Sequence, residues 1–167
     1  MIVVSDTSPL IHLAAIQRLD ILRQLYGEVY VPAAVFAEAT REMQDYPDGK
    51  LIHGQAWLHV QAVRDVTQLQ PLLATIDQGE AEALVLAREV NADLLLIDDG
   101  KGRRQASQMK IRVIGLLGVL LAAKQAGLIE SLTAVMGELE LKASVWWSED
   151  LKARARALAT ERPDAES

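Results

Sequence analysis

The run Leu94-Leu95-Leu96-Ile97 sets the strongest limit on how this chain can fold. Four consecutive apolar residues, with a break at Asn91-Ala92-Asp93 before them and Asp98-Asp99-Gly100 after, form a strand with no polar face. Such a strand has to be covered on both sides, the situation of an inner strand of a parallel sheet with helices above and below. Shorter runs of the same kind recur along the chain. Ile2-Val3-Val4 stops at Ser5-Asp6-Thr7-Ser8-Pro9, and Val29-Tyr30-Val31 stops at Pro32. Residues 58–63 read as a strand, and so does Arg112-Val113-Ile114, which makes five candidates.

Helical spacing fills the intervals. Ser8 and Pro9 read as cap and first residue of a helix carrying Leu10, Leu13 and Ala14. Leu19, Leu22 and Leu25 suggest a second helix ending near Gly27. Pro32 opens a third, with Val35, Phe36, Ala39 and Met43, and Tyr46-Pro47-Asp48-Gly49 reads as a turn. A short helix over 69–74, a clear one over 80–90, a polar one over 101–109 and an apolar one after Gly115 complete the alternation. From Leu128 the chain is helical, with Trp146-Trp147 ahead of a Ser148-capped helix, and residues 162–167 read as a frayed tail. The expected fold class is α/β with a mostly parallel sheet of about five strands and helices on both faces. The expected organisation is one domain over 1–145, with the helix and tail of 146–167 belonging to it.

Composition narrows the function classes. Cysteine is absent, which excludes disulfides, a thiolate zinc site and a thiol nucleophile. The longest apolar stretch covers residues 113–123, too short to span a bilayer, and no basic segment precedes the apolar start. A soluble cytoplasmic protein is therefore expected. A net charge of −6 argues against holding nucleic acid by charge alone. It leaves room for an enzyme whose acids carry a metal. Neither a dinucleotide fingerprint, a Walker A loop nor a nucleophile elbow occurs. His12, His53 and His59 show no zinc-ligand pairing.

The acidic residues fall where an open parallel sheet binds ligands, beyond the carboxyl ends of its strands. Asp6 follows the first strand, and Asp98 and Asp99 follow Leu94–Ile97. Glu38 lies about two turns into the helix fed by the second strand. Glu80 opens a helix on the side of Leu84 and Ala87, at the end facing the strand ends, while Glu82 points elsewhere, toward solvent. Taken singly, each has an ordinary reading: a loop hydrogen bond for Asp6, a surface position for Glu38, a helix-dipole preference for Glu80, a turn for Asp98-Asp99. Together, carboxylates without His or Cys form an all-oxygen site suited to Mg²⁺ or Mn²⁺ and to phosphodiester hydrolysis. Lys101, Arg103 and Arg104, with Lys110 and Arg112, follow directly and could hold flanking phosphates or simply face solvent.

These motifs resemble those of PIN-domain proteins over about residues 2–129. The resemblance rests on Ser5-Asp6-Thr7-Ser8, on Glu38 after Val31-Pro32, on Gly79-Glu80-Ala81-Glu82-Ala83 and on Leu96-Ile97-Asp98-Asp99. It implies a three-layer α/β/α fold and a metal-dependent ribonuclease, most often the VapC-type toxin of a toxin–antitoxin pair. It would make Asp6, Glu38, Glu80 and Asp98 the Mg²⁺ or Mn²⁺ ligands, with Asp99 a secondary site residue and Thr7 or Ser8 in support. It also implies an RNA substrate, an antitoxin partner and a homodimer. This chain has Glu80 where the toxins usually have Asp, and Asp98-Asp99-Gly100 where they carry a Thr-x-Asp-x-Asp-Phe stretch. The alternative is a PIN-like module that binds a protein partner without cutting RNA, with Trp146-Trp147 and the last helix as docking surface or as a cap on the domain's own core.

Overall fold

The computed structural model describes residues 1–44 and 52–160; the expected turn at 46–49 and the tail at 162–167 lie outside the described residues. Five parallel strands form one sheet: β1 (Val3–Ser5), β2 (Val29–Pro32), β3 (Leu58–Gln61), β4 (Leu94–Leu96) and β5 (Val113–Ile114), in the order β3-β2-β1-β4-β5. All five expected strands are present and every pairing is parallel. β1 and β4 are buried along their whole length. This is the environment that an unbroken apolar run demands.

The helices are α1 (Thr7–Ala15), α2 (Asp20–Tyr26), α3 (Ala33–Glu42), α4 (Leu69–Leu73), α5 (Gln78–Glu89), α6 (Gly100–Gln108), α7 (Leu116–Gln125), α8 (Leu132–Lys142) and α9 (Glu149–Thr160). α5 touches β1, β2 and β4 and gathers α3, α4 and α6 beside it. α2, α7, α8 and α9 pack on one another in the opposite layer, giving the three-layer α/β/α arrangement. Helix stops follow local chemistry. Gly27 ends α2 at φ 77°, and Asn91, at φ 51°, ends the turn after α5 while Ala92 N–H reaches back to Ala87 C=O. α9 is fastened by Lys152, whose Nζ lies 3.2 Å from Glu140 and 2.9 Å from Glu149, and its start is capped by Ser148 Oγ.

The topology fixes where a site can form. The chain leaves β1 toward β2 on one side, and β4 pairs with β1 on the other, so the crevice of the sheet opens at the carboxyl ends of β1 and β4. Ser5 is in register with Leu96, and Asp6 N–H donates to Leu96 C=O at 2.9 Å. Asp6 and the Asp98-Asp99 pair thus emerge side by side.

One helix start differs from the sequence expectation. α1 begins at Thr7 with Asp6, not Ser8, at the cap position, and the Asp6 carboxylate makes no capping bond. Ser8 takes the second helical place and Pro9 the third, still inside the first turn, where a missing N–H breaks no intrahelical bond. Asp6 is thereby brought down against the sheet.

Candidate metal centre

The β1 end carries Asp6, 4% exposed, followed by Thr7, also buried. Thr7 Oγ1–H donates to Glu38 Oε2 at 2.8 Å, which ties the first turn of α1 to the second turn of α3. α5 arrives from above. Its N-cap is Asp77, whose side chain accepts from Glu80 N–H at 2.8 Å while Glu80 Oε2 accepts from Asp77 N–H at 3.1 Å, a reciprocal capping box. Between them lies Gly79. A Cβ there would stand 3.0 Å from Glu38 Oε2 and 3.6 Å from both Asp77 Oδ1 and Thr7 Oγ1. Glycine lets the α5 backbone close down on Glu38.

The acids of β1, α3 and α5 thus lie near enough to feel one another's charge. Asp6 is pushed up to about 7, chiefly by loss of solvent and then by the charges of Glu80, Asp77 and Glu38; the Thr7 N–H opposes this. Glu80, half-buried, is also raised, by desolvation first and then by Asp77, Asp99 and Glu38, against the hydrogen bond from Asp77 N–H. Among the described residues no Lys or Arg lies within ion-pair distance of any of these carboxylates. The like charges are left to repel one another.

The two acids after β4 separate. Asp99 caps α6, its Oδ2 accepting from Gly102 N–H at 2.9 Å, and its charge reaches Glu80. Asp98 turns toward α7, where Oδ1 accepts from Leu116 N–H at 2.8 Å. Burial of its carboxyl raises Asp98, while Leu116 N–H, His12 and Arg103 lower it. A Cβ on Gly115 would fall 2.6 Å from Asp98 Oδ1 and 2.8 Å from Arg103 Nη1, so both groups lie against a backbone that only glycine leaves open. The structure therefore brings Asp6, Glu38 and Glu80 together, with Asp99 on their side, and places Asp98 against His12 and Arg103.

Lys101, Arg103 and Arg104 are exposed on α6. They diverge: Arg103 lines a cleft with Asp98, whereas Lys101 and Arg104 line a smaller hollow with Gln105 and Gln108. Glu82 is not simply solvated. Its Oε1 accepts from Ala34 N–H at 3.3 Å and its Oε2 from the Gln78 side chain, so it satisfies a free donor at the start of α3. Asp77 escaped the sequence reading although Asp77-Gln78-Gly79-Glu80 has capping-box spacing, and the place of His12 beside Asp98 had no sequence signal.

As they stand, no three His, Asp or Glu side chains among the described residues are drawn together closely enough to hold a metal ion. The donor chemistry nevertheless fits a hard divalent cation. All the groups are oxygen donors and no protein cation neutralises them. Mg²⁺ in particular keeps several waters and needs only one or two direct carboxylates. Among the described residues no helix is long and apolar enough to cross a membrane.

No curated protein matches the chain. A family model described as a PIN domain matches residues 2–161, through every element that builds the acidic crevice and on through α9. With the five-stranded parallel sheet and the acids at its switch point, that match shows that the chain belongs to the PIN-domain family, a family of nuclease type.

Proposed function

We propose that this protein is a Mg²⁺- or Mn²⁺-dependent endoribonuclease in which Asp6, Glu38 and Glu80 hold the metal, joined by Asp98 once it turns from α7 toward the ion, with Asp99 completing the acidic rim. The observation that carries the reading is the crowding of Asp6, Glu38 and Glu80, from three separate elements, with no protein cation to balance them. Burial first, and then the neighbouring like charges, disfavour the ionised forms of Asp6 and Glu80 unless a divalent ion supplies the charge. When bound, the ion would lower the pKa of a water and neutralise charge developing on a phosphodiester.

The chain's own residues prepare that chemistry. Thr7 orients the Glu38 carboxylate, and Asp77 N–H holds one oxygen of Glu80. Leu116 N–H holds Asp98 Oδ1 before that turn, and Gly102 N–H, bonded to Asp99 Oδ2, leaves Oδ1 for a ligand. Asp6 must release its proton to bind, so affinity for metal rises with pH through about 7. Lys101, Arg103 and Arg104 hold the phosphates on either side of the scissile one. The family supports a toxin role in the cytoplasm, with an antitoxin partner and a homodimer, as the biological setting.

Incubation of the purified protein with RNA tests this. Cleavage is expected with Mg²⁺ or Mn²⁺, and it is expected to stop with EDTA and in Asp6→Asn and Asp98→Asn, both of which keep the circular dichroism of the wild type. Equal cleavage in EDTA, or in both variants, overturns the proposal.

A further inference from the structure

Between α7 and the segment joining α8 to α9 lies a cleft of about 700 Å³, with Asp98 on its wall and the other acids of the metal site outside it. This is within the size of small-ligand sites. Leu117, Leu121 and Val145 contribute apolar lining, and Arg103 is the only Lys or Arg among the described lining residues. Trp146 lines the cleft as well. The Trp-Trp pair is divided by the fold: Trp147 is 9% exposed, whereas Trp146 remains 79% exposed. Ser144, at φ 54°, turns the chain just before the pair.

A large exposed indole and a guanidinium lining one cleft, at the edge of an acidic site, match one chemical class. An unpaired nucleotide joins a flat apolar ring to an anion. The cleft offers an indole and apolar walls for the ring and one guanidinium, bordering Asp98, for the anion. An apolar peptide side chain would use the walls and make nothing of the guanidinium beside Asp98. We propose that the cleft is a nucleotide subsite. It takes one unpaired base of the RNA strand stacked on Trp146, with a phosphate of that nucleotide on Arg103 and the strand continuing past Asp98 to the acids. The subsite rests on the nuclease reading for RNA as its ligand, and it makes the substrate single-stranded or looped. Base stacking on an aromatic platform is tolerant of sequence, so Trp146 adds affinity without dictating a base.

Binding measured in EDTA separates the subsite from the chemistry. A short fluorescein-labelled oligouridylate and its abasic counterpart are titrated with the full chain, following anisotropy and tryptophan emission. Wild type is expected to bind the oligouridylate more tightly than the abasic strand and to show quenched indole emission. Trp146→Ala is expected to lose ~5- to 150-fold for the oligouridylate alone, and Trp146→Phe to recover most of it. Trp146 is exposed, so these variants keep the fold. Equal binding of both strands by the wild type, even with metal-dependent cleavage intact, overturns the subsite and spares the nuclease reading. Base-dependent binding through Trp146 in a protein that cleaves no RNA supports the subsite and overturns the nuclease reading. Unchanged binding by Trp146→Ala overturns the proposal and leaves the indole to a protein partner.

Discussion

Replacing Asp6 with asparagine tests the electrostatics of the crevice without any substrate. Asp6 is 4% exposed and is moved from its ordinary 3.8 to about 7. A rise of that size corresponds to about 4 kcal/mol of native-state cost for the ionised form. In the metal-free native state Asp6 keeps its proton up to about pH 7, whereas in the unfolded chain it loses it near pH 4. Between those values the native state binds more protons. The free energy of unfolding therefore falls as pH rises, by up to about 1.4 kcal/mol per pH unit, and levels off above about pH 7. Single-site linkage gives a loss of roughly 2 to 3 kcal/mol between about pH 5 and pH 8. Asparagine has no charge to lose, so Asp6→Asn should gain about that much on the wild type over the same interval. Urea unfolding in EDTA at several pH values reads the difference directly. Mg²⁺ at about 100 times its Kd should then return about 2.7 kcal/mol to the wild type and little to the variant. A stability difference that stays constant with pH would refute the argument that the Asp6 carboxylate is held in a crowded, dehydrated site.

Two further outcomes follow from named contacts. Thr7→Val removes the hydrogen bond to Glu38 while keeping the side chain's shape. It should cost about 1 kcal/mol in urea unfolding and weaken metal affinity roughly 10- to 100-fold, as loss of a ligand-orienting group does elsewhere. Neutralising Lys101, Arg103 and Arg104 one at a time should each lower the slope of log K against log salt for a single-stranded RNA by up to about 0.7. The effect should be read by anisotropy, and a flat response would make these residues an ordinary solvated face.

Much of the architecture was legible because its strands need cover on both faces. β4 cannot be exposed, β1 and β2 are rich in valine, and each of the three ends at or leads into a polar or Pro residue that caps the next helix. The gathering of Asp6, Glu38 and Glu80 follows from the same logic, since strand ends and helix starts share one edge of a parallel sheet. The finer placements depended on tertiary contacts. Glu82 looked solvated on the periodicity of α5, but the start of α3 lies against it and leaves an N–H free for it. Asp98 and Asp99 are adjacent in sequence and fall to different sides because α6 needs a cap from one while α7 donates to the other. Ser8 had the chemistry of a cap, yet sheet pairing at Asp6 started the helix earlier. Nor could the sequence separate Trp146 from Trp147, because only the turn between α8 and α9 decides which indole meets the core.

The central claim is that acids from β1, α3 and α5 act together on one divalent ion. Titration with Mn²⁺ at about pH 7.5, followed by the loss of free-ion signal in electron paramagnetic resonance, tests it most directly. Sequestration of Mn²⁺ by the wild type is expected, weakened at least about tenfold in both Asp6→Asn and Glu38→Gln. Uptake identical in all three proteins, or none by the wild type, would contradict the account.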